Sequence, residues 1–130
     1  MLSVSTILTP TSPGDLIDKI TILQIKRERF TDRAKLTNVQ RELDILTQTL
    51  TRSLPQSPEL ANLSAQLKKT NQALWDVEDD IRLCDKSADF GPRFIELARS
   101  VYHYNDIRCA LKRRINELLG SDLIEEKSYR

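Results

Sequence analysis

Apolar residues recur at alternating steps of three and four along two long stretches of the chain, which is the spacing of one face of an α-helix. The first stretch contains Leu60, Leu63, Leu67, Thr70, Leu74, Val77, Ile81 and Cys84. The second contains Phe94, Leu97, Val101, Tyr104, Arg108, Leu111, Ile115 and Leu118. We predict helices over 59–86 and 91–119, joined by a short corner at Gly91-Pro92. A short connection favours antiparallel neighbours, so the pair should form a helical hairpin.

The N-terminal half of the chain predicts two more helices. Ser12 and Pro13 form a helix-start signal, and the apolar pattern that follows runs to about Phe30. A second helix should cover 32–53, before a loop that contains two prolines. We therefore expect an all-α fold in a single domain, residues 1–130: a four-helix bundle-like domain built on the long antiparallel helical hairpin.

The two ends of the chain are predicted to lie outside the helices. Residues 1–12 read as an N-terminal extension, whose Val4, Ile7 and Leu8 should pack against the bundle. Residues 120–130 read as a C-terminal tail, which should pack back at least as far as Ile124 through an apolar contact.

A line of polar side chains interrupts the apolar seam of the hairpin. In an antiparallel hairpin the numbers of two facing residues add up to a constant. If that sum is about 177, Glu78 lies opposite Arg99, and Trp75 lies opposite Tyr102. Asn71 then lies beside Asn105, and Arg108 lies inside the seam. One interpretation is a structural network that fixes the register of the helices. The other is a pocket for a small anionic ligand, lined by Trp75, Glu78, Arg82, Arg99, Tyr102, Asn105 and Arg108.

Charge and hydropathy exclude several classes of protein. The 20 basic and 19 acidic residues nearly cancel, which argues against a nucleic-acid-binding domain. No apolar run approaches the roughly 20 residues that cross a bilayer, and the first residues lack a basic region, so we expect neither a membrane span nor a secretory signal. In the hairpin register Cys84 and Cys109 are too far apart to bridge, which favours reduced thiols in a cytoplasmic protein, although a disulfide between chains stays open.

Candidate chemistry is sparse. One His and two distant Cys cannot form a zinc site, and no Ser, Cys or His arrangement suggests a nucleophile with its base. The pairs Asp15/Asp18 and Asp76/Asp79 have the spacing of helical Mg²⁺ ligands and faintly resemble the magnesium sites of all-helical nucleotide pyrophosphohydrolases. The paired glutamate blocks of that family are absent here. We therefore expect no metal and no cofactor.

The first helix resembles the opening helix of the helical chorismate mutases. The similarity lies in Ile17-Asp18-Lys19-Ile20, Leu23 and Arg27, with Thr21 where that family has a second Asp. The resemblance implies that Arg27 binds a substrate carboxylate in a helical pocket that works by electrostatic stabilisation. It adds Arg27 to the candidate ligand-binding residues.

A wider resemblance covers most of the chain. It rests on the motifs Pro13-Gly14-Asp15-Leu16-Ile17-Asp18-Lys19, Leu74-Trp75-Asp76-Val77-Glu78-Asp79-Asp80-Ile81-Arg82, Phe94-Ile95-Glu96-Leu97-Ala98-Arg99, and Glu125-Glu126-Lys127-Ser128-Tyr129. These look like an uncharacterised family of small bacterial helical proteins. The resemblance implies a bacterial, cytoplasmic, stand-alone domain and no particular activity.

Two functions are consistent with the sequence. The preferred one is a helical binding or assembly module without catalytic activity, which forms a homodimer because long helices often leave an apolar stripe uncovered. The alternative is a small-molecule site with an Arg/Glu pocket in the bundle, either a binding protein or an enzyme of the chorismate mutase or Mg-dependent nucleotide hydrolase type.

Overall fold

The structure, a computed structural model, describes residues 4–128. Four helices follow one another: α1 (Pro13–Arg29), α2 (Arg33–Ser53), α3 (Pro58–Lys86) and α4 (Pro92–Leu118). The described residues contain no strand, and the helices pack on one another, so the predicted all-α fold is confirmed. The predicted boundaries differ from the observed ones by at most one residue, which is within the ordinary uncertainty of a helix end.

The helix starts follow from local chemistry. Ser12 caps α1 by accepting from the Asp15 N–H at 3.1 Å, and Ser57 caps α3 by accepting from the Leu60 N–H at 3.1 Å. Asp32 caps α2 by accepting from the N–H groups of its first turn. The first position of α1, α3 and α4 is a proline, whose fixed φ suits a helix start and whose missing N–H costs nothing there.

Helix α1 is the centre of the molecule, because it packs against α2, α3 and α4. Ile17 joins Leu67 and Ile115 in one core cluster with the hairpin, whereas Leu16 and Leu23 pack with α2 in another. Each large side chain that is fully buried contributes about 1.5–3 kcal/mol of stability. The backbone of α2 approaches neither α3 nor α4 in the described chain. The hairpin beyond the end of α1 therefore has no third helix against it.

The first turn of α1 lies unusually close to α4. The Gly14 N–H donates to the Oδ1 of Asn116 at 2.7 Å, and both residues are buried. A Cβ at position 14 would lie 2.6 Å from the backbone carbonyl oxygen of Lys112. Glycine is needed here because only a residue without a side chain allows this approach.

The N-terminal residues do not pack against the bundle as predicted. Val4, Ile7 and Leu8 are 73%, 78% and 91% exposed, so the prediction that they pack against the bundle is wrong. The apolar surface near the start of α1 is already covered by Leu50 and Leu54 at the end of α2. The preceding residues 1–3 lie outside the described part.

The C-terminal tail does fold back on α4, but through charges rather than the predicted apolar contact. Glu125 pairs with Lys112 at 3.0 Å, and Glu126 pairs with Arg113 at 3.3 Å, whereas Leu123 and Ile124 are 47% and 40% exposed. Tyr129, which ends the tail motif, lies outside the described residues. The tail is therefore held mainly by ion pairs, which salt would weaken.

Cys84 and Cys109 form no disulfide with each other in the described chain: Cys84 is buried and Cys109 is partly buried. Among the described residues, no helix combines the length and the hydrophobicity that a membrane span requires.

Candidate functional site

An ion pair between a buried carboxylate and a partly buried guanidinium joins α1 to α4. The guanidinium of Arg108 donates from Nε to Oδ1 of Asp18 at 2.9 Å and from Nη2 to Oδ2 at 2.5 Å. Asp18 is only 5% exposed. A buried carboxylate requires a paired and hydrogen-bonded partner, and the bidentate geometry supplies both. The hydrogen bond with Asp18 raises the pKa of Arg108 above its ordinary value, although burial acts in the opposite direction.

A second set of hydrogen bonds ties this ion pair to α3. The Nδ2 of Asn71 donates to Oδ1 of Asp18 at 2.9 Å and to Oγ1 of Thr21 at 2.9 Å. The hydroxyl of Thr21 in turn donates to the backbone carbonyl of Asp18 at 2.7 Å. Three helices thus converge on Asp18, which fixes the position of the Arg108 guanidinium.

A parallel ion pair lies along the same seam between α1 and α4. The ammonium of Lys112 is 3.0 Å from a carboxylate oxygen of Asp15 and 3.0 Å from one of Glu125. Burial lowers the pKa of Lys112, but its hydrogen bonds with Asp15 and Glu125 outweigh that effect, and the net shift is upward. Lys112 therefore carries its charge in a mostly buried position.

A cleft of about 490 Å³ opens beside the Asp18–Arg108 pair, between α1, α3 and α4. Its apolar walls come from all three helices, and its polar groups lie mainly on α3 and α4. The cleft is lined by Ile22, Ile25, Asn71, Leu74, Trp75, Glu78, Asp79, Arg82, Val101, Asn105 and Arg108.

The only tryptophan of the chain forms one wall of this cleft. Its ring lies 5.8 Å from the ring of Phe30, centroid to centroid, and the guanidinium of Arg29 lies 5.9 Å from its centroid. Arg29 also pairs with Asp76 at 2.5 Å. The end of α1 is thereby fastened to α3 at Trp75, and the far end of the cleft is an aromatic and charged surface.

Five of the eight residues that the sequence proposed for ligand binding line the cleft: Trp75, Glu78, Arg82, Asn105 and Arg108. The structure brings them together with apolar side chains from α1. Their role in binding a ligand stays a prediction.

Arg99 and Tyr102 do not lie in the cleft, and Glu78 pairs with Arg82 at 3.7 Å rather than with Arg99. The nearby hydroxyl of Tyr102 raises the pKa of Arg99 above its ordinary value. The two residues line a separate recess of about 650 Å³ along α4. Successive residues of an α-helix turn by about 100°, so Arg99, two residues before Val101, faces away from the cleft. The predicted Glu78–Arg99 and Trp75–Tyr102 contacts are therefore wrong, because Arg99 and Tyr102 lie on a face of α4 that does not line the cleft.

Arg27 lies in a third recess, between α1 and α2. This recess of about 420 Å³ is lined by Gln24, Arg27, Gln40, Leu43, Asp44, Thr47 and Gln48. The four arginines that a pocket of the chorismate mutase type would combine, Arg27, Arg82, Arg99 and Arg108, are thus distributed over three recesses. Only Arg82 and Arg108 share the cleft.

The charges of the cleft do not favour a purely anionic ligand. The negative charge of Asp18 balances the positive charge of Arg108, and that of Glu78 balances Arg82. Among the lining residues this leaves one negative charge, that of Asp79. The carboxylates that resembled half of a magnesium site, Asp15 and Asp18, each face a cation instead. Residues 4–128 contain no group of three or more His, Cys, Asp or Glu side chains that could hold a metal ion.

Several residues of the site were not identified from the sequence. The most important is Asp18, which was interpreted as one of a carboxylate pair rather than as the partner of Arg108. One signal was available: Arg108 occupies an apolar seam position, and a cation there requires an acidic partner from another helix. Asp79 was likewise interpreted only as a possible magnesium ligand, and Leu74 and Val101 only as positions of the apolar seam.

Comparison with protein families finds a match that covers most of the chain. A family described as "Family of unknown function (DUF6165)" covers residues 8–130. No curated protein and no solved structure matches. The described helices, the buried network and the cleft all lie within the matched range.

Proposed function

The chain belongs to DUF6165, a family of unknown function, and we propose from its geometry that it is a binding module whose functional surface is the cleft between α1, α3 and α4. The observation that carries this proposal is the position of Arg108. Asp18 and Asn105 hold its guanidinium at the edge of a concave, partly apolar space. Small-molecule sites are typically concave, about 300–1,000 Å³ in volume, with a few oriented polar groups among apolar walls.

The side chains of the cleft favour binding over covalent chemistry. Its described lining residues include no Ser, Cys, His or Lys, and its two carboxylates, Glu78 and Asp79, are exposed. Arg108 is held by a bidentate hydrogen bond, which suits a rigid recognition group. A bacterial, cytoplasmic setting stays a prediction from the sequence.

We expect a ligand of the cleft to change the fluorescence of Trp75, which is the only tryptophan and part of the cleft wall. Screening amino acids, short peptides, dicarboxylates, nucleotides and sugar phosphates by fluorescence and by melting temperature would identify it. Ile22→Phe adds volume inside the cleft and should weaken binding of any hit at least about tenfold, since overpacking a filled space costs about 1–3 kcal/mol.

The matched control for this screen is Ser100→Phe, which adds the same side chain on α4 in the separate recess. Binding should be unchanged in this variant. If Ile22→Phe and Ser100→Phe affect the hit equally, the ligand does not bind in the cleft and the proposal fails.

Assembly of two copies is a second candidate function, favoured by apolar side chains at the end of the hairpin. Leu83, Phe90 and Ile95 are each more than half exposed. Helix α1 ends beside Trp75 and Asp76 of α3, and the backbone of α2 approaches neither α3 nor α4 in the described chain. We expect light scattering to give twice the chain mass of 15.0 kDa, and Ile95→Glu to shift the equilibrium towards monomer by at least about tenfold, because it buries a charge. Thr47→Glu introduces the same charge at an exposed position of α2 and is the control. A concentration-independent monomer would exclude this function.

A further inference from the structure

The two ends of the cleft differ in hydrogen-bonding character. At one end, a guanidinium has five N–H groups, and three of those of Arg108 are engaged by Asp18 and Asn105. The contact with Asn105 Oδ1 is long, at 3.5 Å. Two N–H groups therefore remain, on a cation whose charge Asp18 already balances. This end offers oriented donors with little net charge, which suits a carbonyl or carboxylate oxygen.

The other end of the cleft carries net negative charge. Glu78 and Asp79 contribute two carboxylates against the cation of Arg82, and the nearby cation of Arg29 is balanced by Asp76. The Glu78–Arg82 pair is long, at 3.7 Å, and largely exposed, so its strength is small. The indole of Trp75 lies beside these carboxylates and already accepts one cation, Arg29, over its ring. An ammonium group would find the carboxylates of Glu78 and Asp79 and the part of the indole that lines the cleft at this end.

The distance between the two ends sets the length of the occupant. Asn71 marks the donor end, because it binds the Asp18 carboxylate, and Glu78 marks the acidic end. They lie seven residues apart on α3, which is about 10 Å along the helix axis. Ile22, Leu74 and Val101 contribute the apolar surface of the cleft. An extended peptide of three residues also spans about 10 Å.

We propose that the cleft binds a short apolar peptide of about three residues through both of its ends. The free amino terminus lies against Glu78 and Asp79, the middle side chain contacts Leu74 and Val101, and the terminal carbonyl accepts from Arg108. This assignment rests on the proposed binding role of the cleft and adds the chemistry of the ligand.

The test uses the tripeptide Ala-Leu-Ala in four forms: free, N-acetylated, C-amidated and modified at both ends. Binding is measured by calorimetry and by Trp75 fluorescence. Acetylation removes the ammonium group and should weaken binding at least about fivefold. Amidation should weaken it less, because the charge of Arg108 is already balanced. Equal binding of the free and acetylated peptides, or a larger effect of amidation, would overturn the assignment.

Variants of the protein that remove carboxylates test where the amino terminus of the peptide binds. In Glu78→Gln with Asp79→Asn, the free and acetylated peptides should bind equally. Asp80→Asn with Asp85→Asn removes the same charge from the same helix outside the cleft lining, and should preserve the difference. If the free and acetylated peptides still differ in affinity in both double variants, the acidic end of the cleft does not bind the amino terminus of the peptide.

The outcomes also separate this inference from the proposed function. If none of the four peptides binds while another compound of the ligand screen does, and Ile22→Phe weakens that compound, the cleft is a binding site for a different ligand class and the peptide assignment is wrong. If a peptide binds but Ile22→Phe leaves its affinity unchanged, the cleft is not its site and both proposals fail.

Discussion

Replacing Arg108 with alanine is expected to lower the free energy of unfolding by about 3–5 kcal/mol, because removing one partner of a buried ion pair leaves an uncompensated charge. The stranded group is Asp18, which is buried and would keep only its hydrogen bond from Asn71. Urea denaturation followed by circular dichroism at 222 nm would measure the loss. A loss of this size is a large fraction of the free energy of unfolding of a typical domain, which is about 5–15 kcal/mol.

Two further variants test the cause of this loss. Arg99→Ala removes the same side chain from an exposed position of the same helix and should change stability by no more than about 0.5 kcal/mol. Asp18→Asn added to Arg108→Ala removes the stranded charge and should restore part of the loss, since a neutral amide is cheaper to bury. If Arg108→Ala and Arg99→Ala cost the same, the Asp18–Arg108 pair is not a buried interaction in solution.

The helices could be predicted because their signals are local. The apolar spacing of three and four, the caps Ser12 and Asp32, and the prolines at the helix starts all act within one or two turns of the chain. An uncharacterised family was also expected, and the match over residues 8–130 to a family of unknown function agrees with that coarse expectation. Local chemistry therefore gave the elements and their order.

The faces of the helices could not be predicted in the same way. The register estimate gives the height of a residue along the hairpin but not its rotation about the helix axis, so it placed Arg99 and Tyr102 at the level of the cleft and on the wrong side of α4. The same limit applies to Asp18. Its partner Arg108 is 90 residues away, and only the packing of α1 across α4 brings the two together.

This packing also explains the Pro-Gly-Asp start of α1, which the sequence predicted to be a helix start with Asp15 in a possible pair of magnesium ligands. Moving along α1, Gly14, Asp15 and Asp18 meet successive partners on α4, in reverse chain order: Asn116, Lys112 and Arg108. The motif is therefore the attachment of α1 to α4. The cleft depends on it, because Ile22 and Ile25 of α1 line one wall.

Gly14→Ala should accordingly cost about 2–4 kcal/mol of stability, from overpacking and from the weakened hydrogen bond with Asn116. The added Cβ would lie 2.6 Å from the carbonyl oxygen of Lys112 and 3.0 Å from the Asn116 side chain. The nearer atom is backbone and cannot rotate away, so α1 and α4 must separate. Urea denaturation measures the cost, with Gly91→Ala as the control.

Gly91 is a suitable control because a Cβ there comes no closer than 3.4 Å to another atom, and its φ of −80° suits any residue. Gly91→Ala should therefore change stability by less than about 1 kcal/mol. Separation of α1 from α4 would also stretch the Asp18–Arg108 pair. Gly14→Ala and Arg108→Ala together should then cost less than the sum of their separate effects, since each removes part of the same contact. A Gly14→Ala variant as stable as Gly91→Ala, or strict additivity with Arg108→Ala, would show that this close approach does not hold α1 on α4.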